Sequence, residues 1–124
     1  MLLREDLSSH KAKAEAIKNA SLIKEGIVLS LFEGENDSAI ISAAQAADEL
    51  LFAVGVKAAF VLTKIGDEIF VSARSFGDIN VQVIAEKLGG GGHATIAGLQ
   101  FRDIATEEAI EKLTGAIDEY LAEV

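Results

Sequence analysis

Two clusters in this chain have residue types and spacing suited to holding a phosphate. The first is Gly89-Gly90-Gly91-Gly92-His93. Residues without Cβ reach positive φ and let the main chain approach a ligand, their N–H groups forming a cradle for an anion, while the imidazole at the rim adds a polar ring. The second is Ser72-Ala73-Arg74-Ser75. In an extended segment alternate side chains share a face, so Ser72 and Arg74 project a hydroxyl and a guanidinium together. A guanidinium is a planar fork of donors matched to phosphate oxygens. Each cluster also has a plainer explanation. Gly89 suffices to end a helix after Lys87-Leu88 in the left-handed position, and an arginine on a surface ordinarily ends in a salt bridge. Gly91 and Gly92 are left over, each costing up to about 1 kcal/mol relative to alanine unless a loop or a binding site needs it.

Smaller candidates surround these. Asn80 suits ligand contact or a helix cap, for which Asp78 competes. Ser75 suits a phosphate or closure of the turn before Phe76-Gly77. His93 follows four glycines and precedes an apolar segment, a placement for a pocket edge where it donates to a phosphate oxygen or stacks on a base. A hydrogen bond to a charged group contributes about 1.5 to 3 kcal/mol, so losing it weakens binding roughly tenfold or more. The candidate substrate-binding set is Ser72, Arg74, Ser75, Asn80, Gly90, Gly91, Gly92 and His93. His10 reads as a surface or interface histidine. It and His93 are the two histidines of the sequence, and no acids join them at ligand spacing to hold two metals. Absence of cysteine excludes disulfides, thiolate catalysis and zinc ribbons.

The elements that must position these groups follow from periodicity. Residues 3–24 read as a peripheral helix with a thin stripe of Leu3, Leu7, Ala14 and Ile17. Ile27–Phe32 reads as a buried strand ending in a polar loop. Asp37 or Ser38 then caps a helix facing inward through Ile40, Ala43, Ala44, Ala47, Leu50 and Leu51. Residues 57–64 and 68–75 form an antiparallel hairpin in which Ile69, Val71 and Ala73 oppose Phe70, Ser72 and Arg74. A helix through Val81, Ile84, Ala85 and Leu88 runs into the glycines. The last strand spans Ala97–Arg102, and Thr106 caps a final helix with Glu107 and Glu108 in its first turn. The order implies a single α/β domain, a mixed β-sheet of about four to five strands covered by helices. Residues 1–24 suit a peripheral element or a connecting helix from an upstream domain, and residues 25–124 form the unit that carries both clusters.

Composition narrows the partners. The chain has 124 residues, half of them hydrophobic, which supports one packed core without staples. A formal net charge of −9, with arginine only at positions 4, 74 and 102, argues against a large grip on a nucleic-acid backbone but leaves a small anion feasible. No apolar run reaches the roughly 18 residues of a membrane span, and the first residues lack a signal-peptide pattern.

The series Ser72-Ala73-Arg74-Ser75, Gly77-Asp78-Ile79-Asn80-Val81, Glu86-Lys87-Leu88 and Gly89 through His93 resembles the DHH-associated domain, the C-terminal half of DHH-type phosphoesterases. The likeness continues through Ala94-Thr95-Ile96-Ala97-Gly98, where Ile96 stands at a position the family usually fills with alanine. It is most similar to the branch that hydrolyses cyclic di-AMP. The resemblance implies that Ser72 and Arg74 line a nucleotide pocket and that His93 contacts substrate without being the general base. It further implies an upstream domain with an Asp-His-His motif, holding two metal ions, usually manganese, and the attacking water; no cofactor is expected in this chain. The expected role is therefore the substrate-binding half of a phosphodiesterase, a hydrolase fragment inactive alone, with cyclic di-AMP or a linear dinucleotide as ligand and a homodimer compatible. The segment itself is expected in the cytoplasm without membrane contact, beneath a parent that commonly carries transmembrane regions. Two alternatives are a short RNA or single-stranded DNA binding domain of an oligoribonuclease or exonuclease, and a non-catalytic interaction module. Related modules also end alanyl-tRNA synthetases.

Overall fold

The computed structural model describes residues 6–124. Helix α1 (Leu7–Lys18) leads into strands β1 (Ser21–Lys24) and β2 (Ile27–Glu33), then helix α2 (Ser38–Leu50). The hairpin β3 (Ala58–Ile65) and β4 (Glu68–Ser75) precedes helix α3 (Val81–Lys87), the two-residue strand β5 (Gly91–Gly92), β6 (Ile96–Arg102) and helix α4 (Thr106–Glu123). The six strands lie in the order β1-β2-β3-β4-β6-β5, so the sheet is larger than expected. Only β2 and β3 pair in parallel, as their connection through α2 requires. The remaining neighbours are antiparallel, which makes the sheet mixed.

Two apolar clusters fix the layers. On one face Ile69, Val71 and Ala73 of β4 and Leu99 and Phe101 of β6 meet Ile84 of α3 and Leu113 and Ile117 of α4. On the other, Ala59 and Val61 of β3 meet Ala39, Ala43, Ala46 and Ala47 of α2, with Ala16 of α1 behind. Alanines let α2 lie close to the strands, as expected, although its buried face is rotated to include Ala39 and Ala46 and leaves Ile40 half-buried. The first helix is also docked by a buried polar contact, in which the Ser30 hydroxyl donates to the carbonyl of Ala16.

Three boundaries differ from expectation. The helix expected over residues 3–24 stops at Lys18, because residues 21–24 pair with β2 as the edge strand β1. Its expected start at Leu3 lies outside the described residues. Residues 21–24 therefore belong to the sheet rather than to a connecting helix. At α4 the cap position is Ala105, with no side-chain cap bond, and Thr106 is the first helical residue. At α2 the side-chain acceptor is Asn36, whose Oδ1 receives the Ser38 N–H at 3.0 Å, while Asp37 makes no cap bond.

Candidate functional site

On the α2 side of the sheet, α2 covers β3 and stops short of β6, leaving an open groove. Ile40, Phe70, Ser72, Gly89, Gly90, Gly98, Gln100 and Arg102 line much of it, and it encloses about 550 Å³. Strand register explains its shape, since residues directly opposite in neighbouring strands share a face. Ser72 pairs with Gly98, and Gly98 with Gly91. From β4 outward that row carries nothing larger than a serine, while on the other side Ser72 pairs with Val61 of β3. One row away, Phe70 pairs with Gln100, while on the other side Arg74 pairs with Ile96. The His93 N–H donates to the Ile96 carbonyl at 2.6 Å, extending the β5–β6 register by one residue. A low row of Ser72, Gly98 and Gly91 is thus flanked by Phe70 and Gln100 and by Arg74, Ile96 and His93. Arg74 and His93 stand two strand spacings apart, roughly 10 Å.

The four glycines separate by cause. Gly89 has φ of 86° and is the left-handed residue ending α3. A Cβ on Gly90 would lie 2.2 Å from the Gly98 carbonyl oxygen, and one on Gly92 2.3 Å from that of Ile96. Both are demanded by the approach of the chain to β6. Gly91 is different: its φ is not positive and a Cβ there would meet nothing within 4 Å. Opposite it, a Cβ on Gly98 would meet only the Val71 carbonyl oxygen, at 3.3 Å. Three of the amides expected to form a cradle are engaged within the fold. The N–H of Gly89 is taken by Glu86, that of Gly90 by Ala85 and that of His93 by Ile96.

Arg74 is half-buried, and its donors are partly committed. Nε lies 3.0 Å from Oδ1 of Asp48 on α2, and Nη1 donates to the Ala73 carbonyl at 2.9 Å. A guanidinium has five N–H donors, so three remain for a ligand. The Ser72 hydroxyl, beside it on the same face, makes no hydrogen bond to another described residue, and His93 is exposed at the rim. Ser75 and Asn80 play other parts. Ser75 is buried, its hydroxyl donates to the Ile79 carbonyl at 2.6 Å, and it accepts from the Gly77 N–H at 3.3 Å. Asn80 caps α3, its Oδ1 accepting from the Val83 N–H at 3.2 Å while its own N–H donates to the Tyr120 hydroxyl. These two residues hold the β4–α3 turn. The tip of the β5–β6 hairpin is tied to the same turn, since the Thr95 and Ala94 carbonyls accept from the Ser75 and Val81 N–H groups.

Of the expected set, Ser72 and Gly90 line the groove, Arg74, Gly91 and His93 lie beside that lining in the strand register, and Gly98, Gln100 and Asp48 were not among the expected residues. Gly98 stood in the quoted stretch, yet its place opposite Gly91 depends on register. Asp48 gave no signal, being one of two adjacent acids near the end of an amphipathic helix. Among the described residues no group of three His, Asp or Glu could hold a metal ion.

Fold and groove together define a class, an α/β domain whose mixed sheet leaves an open groove beside the helix that covers β3. Residues 24–123 match the DHHA1 domain, and the chain belongs to that family. It is 40% identical over 119 residues to the cyclic-di-AMP phosphodiesterase PdeA of Listeria monocytogenes, and 42% identical over 120 residues to the cyclic-di-AMP phosphodiesterase GdpP of Geobacillus thermodenitrificans. Those alignments take in 95% and 96% of this chain but 18% of each relative, so the chain spans about a fifth of their length. Among solved structures, an exopolyphosphatase-related protein from Bacteroides fragilis shares the fold with a TM-score of 0.79 at 20% identity, over 94% of this chain and 36% of that one. The C-Ala domain of Aquifex aeolicus alanyl-tRNA synthetase shares it with a TM-score of 0.59 at 20% identity, over 75% of this chain and 94% of that one.

Proposed function

We propose that this domain binds the substrate of a DHH-type phosphodiesterase acting on cyclic di-AMP, with the dinucleotide seated in the groove between α2 and the glycine hairpin. The observation that carries the proposal is the pair Gly91 and Gly98. Neither has a positive φ, and they face each other beside Ser72, whose hydroxyl makes no hydrogen bond to another described residue. A Cβ on Gly98 would press on the Val71 carbonyl oxygen at 3.3 Å, whereas one on Gly91 would meet nothing within 4 Å, so Gly91 is the small residue that the fold does not demand and that leaves room for something else. The three open donors of Arg74 supply a bidentate site for one phosphate, and Ser72 adds a hydroxyl donor. His93, roughly 10 Å across the row, reaches the other end of a dinucleotide, donating to phosphate or stacking on a base.

The chemical step belongs elsewhere in this proposal. The described residues offer no cluster fit for the manganese pair, so no step is routed through this chain and the metal-activated water is assigned to a companion DHH domain. The similarity to phosphodiesterases over nearly all of this chain supports that division. The domain would lie in the cytoplasm beside that partner; among the described residues no helix is long and apolar enough to cross a membrane.

Titration of the chain with cyclic di-AMP, linear pApA and a longer oligoadenylate tests the proposal. Both dinucleotides are expected to bind, without hydrolysis in the presence of manganese. Gly91→Ala is expected to leave the melting temperature unchanged while weakening binding about tenfold through the Cβ it places in the trough. Binding of the long strand alone would instead support the oligoribonuclease or exonuclease alternative.

A further inference from the structure

Asp48 stands on α2, outside every motif that marks the groove, and pairs with Arg74. Its carboxylate is 58% exposed, whereas the Arg74 side chain is 15% exposed, so the acid reaches in from the helix surface to a guanidinium that lies mostly inside. The contact is made at Nε, and the other committed donor is Nη1, which turns back to the Ala73 carbonyl of its own strand. Two bonds to different elements fix the plane of a guanidinium that otherwise samples many rotamers. The donors left over are the two hydrogens of Nη2, one of them beside the Nε–H that faces Asp48, and the second hydrogen of Nη1.

We propose that Asp48 is a positioning residue: it holds Arg74 in the conformer that presents its free donors to the groove, so that a phosphate meets a guanidinium already oriented. The proposal rests on the groove binding a phosphate-bearing ligand. Two effects of the carboxylate oppose each other. Its negative charge repels a phosphate, but it is largely solvated and its field is screened accordingly. Preorganisation acts through the rotamer freedom of a long side chain, which is lost once on folding instead of again on binding. The second effect outweighs the first, and Asp48 strengthens binding.

A double-mutant cycle with cyclic di-AMP and pApA tests this. Asp48→Ala is expected to weaken both about tenfold without changing the melting temperature. Asp48→Glu, which restores the acceptor, is expected to recover most of the loss. In an Arg74→Ala background Asp48→Ala is expected to do nothing further, because its effect passes through the arginine. Unchanged or tighter binding in Asp48→Ala, or losses that add in the double variant, would overturn the proposal. A second measurement separates it from the groove assignment. The Arg74 Nε–H resonance should exchange slowly in the unaltered chain and quickly in Asp48→Ala, and equal exchange in the two would sink the positioning role even if dinucleotides bind. Failure of the unaltered chain to bind either dinucleotide would overturn the groove assignment instead, leaving the exchange measurement to decide whether Asp48 holds Arg74.

Discussion

Ser72 and Ser75 sit three residues apart on one strand and serve opposite ends. Strand alternation places Ser72 on the groove side with a free hydroxyl, whereas Ser75 turns inward and ties the β4–α3 turn through Ile79 and Gly77. Ser75→Ala should therefore cost about 1 to 3 kcal/mol by leaving buried backbone groups unpaired. Ser72 is also buried, but its hydroxyl makes no hydrogen bond to another described residue, so Ser72→Ala leaves no partner unpaired and should cost less than Ser75→Ala. Chemical denaturation of the two variants checks the contrast, and equal losses would contradict it. The glycines divide in the same way. Gly90→Ala drives a Cβ to 2.2 Å from a backbone oxygen and should destabilise the fold, while Gly91→Ala should not. In the sequence the four glycines look alike, because their distinction lies in what approaches them from β6. The pairing of hydroxyl and guanidinium was legible, since period two alone places Ser72 with Arg74.

Elements with a strong internal pattern were legible, and elements made by pairing were not. The β3–β4 hairpin and α4 carry their own alternation or helical stripe, and both were found within a residue or so of their ends. Strand β1 has four residues and one partner strand, and β5 is two glycines with no side chain to show a period. Both exist because a neighbour offers an edge. Caps lie between these cases. Asn80 was one of two candidates for α3, and its Oδ1 makes the bond. Asn80→Ala should cost about 1 kcal/mol in denaturant unfolding, with the loss read at unchanged m-value.

Helices α3 and α4 are joined by Lys87, whose ammonium lies 2.8 Å from Glu123 and 3.0 Å from Glu119. Hydrogen bonding to Lys87 lowers the Glu123 carboxyl below its usual 4.5, and the two acids raise Lys87 above its usual 10.5. A lowered acid contributes stability above the unfolded value that is lost as pH falls through the folded one. A raised base contributes stability below 10.5 that is lost as pH rises past its folded value. Between those limits Lys87→Ala should be slightly less stable than the unaltered chain, and the gap should close on acidification below pH 4.5. A gap that widens in acid would reverse the sign and exclude this pair as its source. The effect is small because all three groups are solvated.

At the scale of the whole molecule the decisive quantity is charge. A net charge of −9 repels any polyanion, and it does so in proportion to the phosphates presented. A dinucleotide brings few phosphates and no condensed counterion atmosphere, so local donors such as those of Arg74 can hold it against the field. A long strand gains nothing beyond the groove and meets repulsion with each added nucleotide. Affinity should therefore fall less than about tenfold between 50 and 200 mM salt, against the factor of roughly 10³ or more typical of proteins gripping many phosphates. Lengthening an oligoadenylate beyond two nucleotides should leave affinity flat or lower. A steep salt slope together with affinity that climbs with strand length would require a basic track across the surface. Among the described cations Lys13, Lys24, Lys87 and Arg102 are each within 4 Å of an acid, which offsets part of the positive charge such a track would need. On the proposed reading Arg74 stays available to a phosphate, because Asp48 takes its Nε–H and the Ala73 carbonyl one Nη1 hydrogen, leaving three donors.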